Sequence, residues 1–373
     1  MPMPWLKELT RKALKDLEPY KPGKPIEELK RELGLKEAIK LCSNENPWPL
    51  PNSVIEATNS AIKEINRYPD PEAYRLRRAI AKKWGVSPAE VIVGGGTEGI
   101  LYTLFQAILE DGEEVVFPFP TYPLYRVAAL AAGGRCVKVP FEDGFAFPME
   151  ALKAACTDKT KAMVLCNPNN PTGNFISRHD LLDLAAYLES QRVLLIVDEA
   201  YADFVDDPSY LAGLDLFREI GKVVIIRTFS KAYGLAALRV AFAIAPTPVV
   251  DSYAKVRSVF EVNTIAQRAA LAALAEDKYI EEVREKVIEE RGKLFSALSD
   301  IGLHVINTTT NFLLILHPAS DEIYDELLKE GIIVRPGKDL GLPNSLRVSI
   351  GIPEENEQFI VALKKVLKRV EGR

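Results

Sequence analysis

The sequence predicts an α/β fold: a mostly parallel sheet covered by helices on both faces, joined to a smaller α+β unit. Two observations predict it. Short runs rich in Val and Ile recur at 91–93, 115–117, 136–139, 162–166, 193–197, 223–227 and 240–244, each bounded by Gly, Pro, Asn or Asp. Such continuous apolar runs are the mark of strands buried on both faces. Between most of them lie stretches with apolar residues at three- and four-residue spacing, as at 98–109 and 178–190, and strands alternating with helices build a parallel sheet.

The elements follow in order. The first forty-odd residues read as a short amphipathic helix and then a Pro-rich connector over 18–25. The alternating region comes next. From about residue 250 the texture changes, with long helical patterns at 266–275 and 278–298, strand-like runs at 312–316, 332–335 and 346–350, and helices at 322–330 and 354–370. We therefore expect an N-terminal arm over 1–45 joined to the small domain, a large domain over 46–250 and a small domain over 251–373.

Composition narrows the function. The chain has 373 residues, 47% of them hydrophobic, with 47 Lys and Arg against 52 Asp and Glu. That size fits a large core and two domains. A formal charge of -5 offers no general attraction to nucleic acid or anionic membrane. No run of about 18 apolar residues suggests a membrane span, and the N-terminal stretch lacks the apolar centre of a signal peptide. Cys42, Cys136, Cys156 and Cys166 form no CxxC pair, so a cytoplasmic protein with reduced thiols is expected. The three histidines, His179, His304 and His317, are scattered. No metal site or Ser-His-Asp triad is expected, and proton transfer falls to Lys, Tyr or carboxylates.

In open α/β sheets ligands bind beyond the carboxyl ends of the strands, so the residues after each apolar run matter most. Gly94-Gly95-Gly96-Thr97-Glu98 follows the first run. Leading into a helix, it is either a tight turn or an anion cradle of free N–H groups. With Gly99 it also satisfies GxGxxG, but the next strand ends in Phe117-Pro118-Phe119-Pro120. No acidic residue closes it, as a dinucleotide fold would need. Asp198, after 193–197, is either a turn cap or a buried carboxylate that pairs with a protonated pyridine nitrogen and keeps that ring an electron sink. Lys231, in Ser230-Lys231-Ala232-Tyr233-Gly234 after 223–227, is either a solvated charge or, desolvated beside a cation, an amine of lowered pKa able to bond a carbonyl.

Three long motifs decide between these readings. The stretch Thr228-Phe229-Ser230-Lys231-Ala232-Tyr233-Gly234-Leu235-Ala236-Ala237-Leu238-Arg239 resembles the cofactor-lysine segment of fold-type I pyridoxal-phosphate aminotransferases. Asn167-Pro168-Asn169-Asn170-Pro171-Thr172-Gly173 and Val197-Asp198-Glu199-Ala200-Tyr201 are similar to two further family motifs, in the family's order. The resemblance covers nearly the whole chain. It is nearest to the histidinol-phosphate branch, through Glu18-Pro19-Tyr20, Pro22-Gly23-Lys24-Pro25, Asn44-Glu45-Asn46-Pro47, Arg67-Tyr68-Pro69-Asp70 and Pro120-Thr121-Tyr122. Aromatic amino-acid aminotransferases and threonine-phosphate decarboxylases look similar in these motifs.

The resemblance implies pyridoxal 5'-phosphate as cofactor, small amino and oxo substrates, and a homodimer with shared active sites. Lys231 would carry the cofactor and move the proton, Asp198 would pair with the pyridine nitrogen, and Asn170 and Tyr201 would hydrogen-bond the phenolic oxygen. Tyr122 would stack on the ring. Gly95, Gly96, Thr97, Ser230 and Arg239 would hold the phosphate, and Tyr68 would reach the neighbouring subunit's phosphate. Tyr20, Arg335 and Arg347 would bind the substrate's acidic group. Two positions depart from the pattern. Thr97 stands where the family often has Asp, and Glu261, in Val259-Phe260-Glu261-Val262-Asn263, where many relatives have Asn. Glu261 is expected to face the substrate channel or solvent.

Overall fold

The computed structural model describes residues 9–15 and 17–372. Part of the expected N-terminal helix lies outside the described residues. The described arm holds a 3-10 turn at Lys12–Leu14 and, after an extended connector, a helix at Ile26–Leu33. The first strand, β1 (Ile39–Lys40), ends the arm.

A seven-stranded sheet forms the centre. Its strands are β2 (Val91–Gly94), β3 (Glu114–Phe119), β4 (Arg135–Pro140), β5 (Thr160–Cys166), β6 (Leu194–Asp198), β7 (Val223–Thr228) and β8 (Ala241–Ile244), in the spatial order β2-β8-β7-β6-β5-β3-β4. All neighbours are parallel except β8, which runs antiparallel to both β2 and β7. The alternation of side chains along each strand explains the two-sided burial. Leu195, Val197, Val223 and Ile225 enter one core, while Ile196, Val224 and Ile226 enter the other. A strand that feeds two cores leaves no place for polar residues until it ends.

The helix Gly96–Ile108 illustrates the covering layer. Its buried residues Ile100, Leu101, Leu104 and Phe105 recur at helical spacing and pack on the second core. The helix Thr264–Ala273 contributes Ala266, Ala269, Ala270 and Ala273 to the first core. Its small residues allow the close approach to the helix Asn52–Ala61. The large sheet's packing thus extends well past residue 250.

A second, antiparallel sheet follows. It contains β9 (His304–Ile306), β10 (Phe312–Leu316), β12 (Arg335–Pro336) and β13 (Ser345–Ser349), in the order β12-β13-β10-β9. The run 332–335 is not one strand. It divides into β11 (Ile332–Ile333), which pairs with β1 in parallel, and β12, which pairs with β13. Leu294, Leu298, Leu313, Val348, Phe359 and Leu363 fill this sheet's own core, and Leu41 of the arm joins it. Two further bonds sew the arm down: Leu41 N–H to Ile333 O at 2.7 Å, and Ser349 N–H to Leu41 O at 2.9 Å.

Candidate active site

Register brings the chemistry to one edge of the large sheet. Cys166 is aligned with Asp198, and Asp198 with Ile226. Gly94 and Thr228 both face Ala241 across the antiparallel strand β8. The loops after β2, β5, β6 and β7 therefore open side by side, and Arg239, two residues before β8, enters the same space. A cleft of about 560 Å³ lies there. Of the residues expected from the sequence, Thr97, Tyr122, Asn170, Asp198, Tyr201, Ser230, Lys231 and Arg239 line it.

Lys231 projects across this cleft, and its Nζ donates to the Ser43 carbonyl of the arm at 2.9 Å. Its pKa falls to about 7, first because the cleft desolvates the ammonium and then because Arg347 and Arg239 repel it. Asp198 is buried at the end of β6. Burial raises its carboxyl to about 6, although Tyr125 and the Ala200 N–H stabilise the charged form. The Tyr125 hydroxyl donates to Asp198 Oδ2 at 2.8 Å, and Ala200 N–H to Oδ1 at 3.1 Å. The second bond is the turn cap that the sequence allowed. It takes one oxygen and leaves Asp198 on the cleft wall.

Tyr201 receives two donors on its hydroxyl, Asn44 Nδ2 at 3.0 Å and Asn170 Nδ2 at 3.2 Å. Asn170 Oδ1 in turn accepts from Arg347 Nη1 at 2.5 Å. These bonds fix the orientation of the Asn170 amide. The glycine turn shows the features of a cradle. Gly96 has φ +82°, a conformation that other residues adopt only under strain, and a Cβ on it would lie 2.6 Å from Arg239 Nη2. Arg239 is itself left-handed, at φ 53°, and its Nη1 donates to Ser230 Oγ at 3.4 Å. The Thr97 hydroxyl is buried and has no partner among the described residues. An orphaned hydroxyl and a guanidinium face the same cleft beside the start of the Gly96–Ile108 helix, which suits a phosphate.

Four other expected residues, Tyr20, Tyr68, Arg335 and Arg347, do not line this cleft. Arg347 on β13 is buried, with Nη2 donating to Cys42 O at 2.7 Å. Arg335 on β12 is 2% exposed, donates to Lys21 O at 2.6 Å, and has its guanidinium 5.4 Å from the centre of the Tyr20 ring. Arg335 and Arg347 are direct cross-strand partners. Tyr68 stands apart from the rest. It is 81% exposed and stacks on Phe260 with ring centres 4.3 Å apart.

Sequence reasoning missed Ser43 and Tyr125, and named Asn44 and Glu261 without the contacts they make. Tyr125, three residues after Tyr122, could have been found from helical spacing. Ser43 and Asn44 reach the cleft only because β1 docks on β11, which no local pattern announces. Glu261 does not line the cleft and is only half-buried: its carboxylate accepts from Gly95 N–H at 2.6 Å and from the Tyr253 hydroxyl at 3.1 Å.

Comparison with known proteins agrees with this geometry. The family model for aminotransferase class I and II matches residues 36–363. Histidinol-phosphate aminotransferase 2 of Carboxydothermus hydrogenoformans is 38% identical over 362 residues, covering 96% of this chain and 99% of that protein. The histidinol-phosphate aminotransferase of Moorella thermoacetica is 40% identical over 359 residues, covering 96% and 92%. Among solved structures, the histidinol-phosphate aminotransferase from Sinorhizobium meliloti in complex with pyridoxal-5'-phosphate superimposes with a TM-score of 0.87 at 29% identity, over 97% of this chain and 98% of that one.

Proposed function

Because the chain belongs to the aminotransferase class I and II family, we propose that it exchanges an amino group between histidinol phosphate and 2-oxoglutarate. Pyridoxal 5'-phosphate, when bound, supplies the electron sink that stabilises a carbanion at the carbon bearing the amine. The residues around the cleft divide the remaining work. Lys231 carries the cofactor and moves the proton: with its pKa near 7, a large neutral fraction of Nζ can accept one at physiological pH. Asp198 pairs with the pyridine nitrogen, and Tyr125 holds its carboxylate in place. Asn170 and Tyr201 bind the phenolic oxygen, and Tyr122 stacks on the ring. Gly96, Thr97, Ser230 and Arg239 hold the phosphate, whereas the expected Gly95 N–H is taken by Glu261 and is not available to it.

One observation carries the substrate assignment. Arg335 and Arg347 oppose each other on neighbouring strands, both buried, and both with the Nε unpartnered among the described residues. Like charges placed directly opposite each other are destabilising. Asp339, 3.9 Å from Arg335, offsets part of that charge, but among the described residues no carboxylate pairs with Arg347. A dianionic phosphate would satisfy both forks, with the Tyr20 phenol completing the grip. The histidinol-phosphate aminotransferases similar along nearly the whole chain support the same substrate. The test is steady-state kcat/KM for histidinol phosphate against phenylalanine. A preference for phenylalanine would overturn the assignment.

Three further readings accompany this one. The exposed Tyr68–Phe260 stack, with exposed Ile62, Ile65, Val256 and Val259 on the neighbouring segments, supports a homodimer in which Tyr68 reaches the partner's phosphate cradle. The division of the cores supports a domain boundary inside the helix Asp277–Asp300, later than residue 251, with the arm assigned to the small domain. Four unpaired cysteines suit the cytoplasm.

A further inference from the structure

Glu261 is the one singled-out residue that the reaction does not use, and its position is specific. The carboxylate accepts from Gly95 N–H at 2.6 Å and from Tyr253 at 3.1 Å. A Cβ added to Gly94, Gly95 or Gly99 would come within 3.2, 3.2 and 2.8 Å of Glu261 Oε1. Gly95 and Gly99 thus have this carboxylate as their nearest neighbour, Gly94 has Ile100 and Tyr253 nearer still, and Gly96 faces Arg239. Glu261 does not line the cleft, whereas Thr97 and Arg239 do. The carboxylate therefore stands behind the turn, and the phosphate-binding groups face forward.

We infer that Glu261 is a positioning residue for the cofactor's phosphate, holding the glycine turn 94–96 in the shape that receives it. The inference rests on the reading of this turn as the phosphate cradle. Consecutive glycines have the widest backbone freedom of any sequence, and fixing them costs entropy on each binding event. A charge-assisted bond to the Gly95 N–H removes that freedom beforehand, as preorganisation does. The same loop carries Phe260, stacked on Tyr68. One carboxylate thus links the cradle to the tyrosine proposed to act across the subunit boundary.

The experiment titrates full-length apoprotein with pyridoxal 5'-phosphate and, separately, with pyridoxal, which lacks the phosphate, following the visible absorbance of the bound ligand. Glu261→Ala should weaken pyridoxal 5'-phosphate at least tenfold and pyridoxal less than twofold. Glu261→Gln keeps an acceptor for Gly95 and should stay within threefold of wild type for both. Gly99→Ala, whose methyl displaces the carboxylate without removing it, should reproduce the selective loss and covers the case in which Glu261→Ala does not fold. Equal weakening of both ligands, unchanged affinity, or tighter phosphate binding in Glu261→Ala would overturn the inference. Wild-type protein that binds both ligands equally would instead refute the cradle itself.

Discussion

Arg335→Ala probes the phosphate grip at its most exposed assumption. Arg335 is 2% exposed and anchored by the Lys21 carbonyl at 2.6 Å, while Arg347 is held independently by Asn170 and Cys42. The variant therefore removes one fork and leaves the other in place. A charged contact to phosphate in a water-poor site contributes about 2–4 kcal/mol. At 1.36 kcal/mol per factor of ten, that is roughly 30- to 1000-fold in kcat/KM for histidinol phosphate. A carboxylate needs only one fork, so phenylalanine should lose less than about threefold. The Lys21 carbonyl also loses its donor, a structural cost of roughly 1–3 kcal/mol if it stays buried. That cost falls on both substrates alike, so the ratio of the two kcat/KM values isolates the phosphate contact. Equal losses on both substrates would refute the reasoning and leave Arg335 a fold residue that ties the arm to β12.

Borohydride reduction should fix the cofactor on the peptide containing Lys231, and Lys231→Ala should keep the cofactor non-covalently while losing several orders of magnitude in turnover; label on another lysine would contradict this. Asp198→Asn should stabilise the apoprotein at pH 8 and not at pH 4. Burial raises the carboxyl from 3.8 to about 6, so its contribution to stability is full below 3.8 and lost as pH rises through 6, by about 3 kcal/mol. Urea midpoints at the two pH values measure this, and a gap that does not change with pH would rule it out. Mixing Tyr68→Phe subunits with Lys231→Ala subunits should give hybrids with one intact site and one lacking both groups. Hybrid activity no higher than that of the Tyr68→Phe parent would place both groups in the same chain's site.

The large sheet was legible because its strands answer to local rules. A run such as 193–197 has to be buried on both faces, and the first polar residue after it has to stand at the sheet's edge. That logic alone places Asp198, Lys231 and the glycine turn at the same end of the sheet. It failed where position depends on a distant partner. The run 332–335 looked like one strand, but β1 captures its first half and β13 its second, with Arg335 turned toward the arm. The Thr264–Ala273 helix looked like the start of the small unit. Its alanines instead fit the narrow contact with Asn52–Ala61 on the large sheet, and periodicity cannot say which sheet a helix will cover. Glu261 failed for a related reason: a carboxylate in a loop is ordinarily solvated, and here the missing side chains of Gly95 and Gly99, far away in sequence, make room for it while Gly95 N–H and Tyr253 donate to it.

The cleft perturbs Lys231 and Asp198 by one dominant cause acting on opposite charges. Desolvation comes first for both, lowering the lysine to about 7 and raising the aspartate to about 6. The order of causes has a consequence for catalysis. Arg347 is the second cause for Lys231, and Arg347 is also the residue offered to the substrate's anion. An anion bound there cancels part of the repulsion and moves Lys231 upward, toward a stronger base, at the moment a proton must be taken. Desolvation remains the larger cause, so the lysine is kept from returning to its ordinary value, where Nζ would be almost fully protonated and unable to accept. A surface lysine beside the same arginine would have the second effect without the first, so this chemistry needs Lys231 in the cleft just past the end of β7.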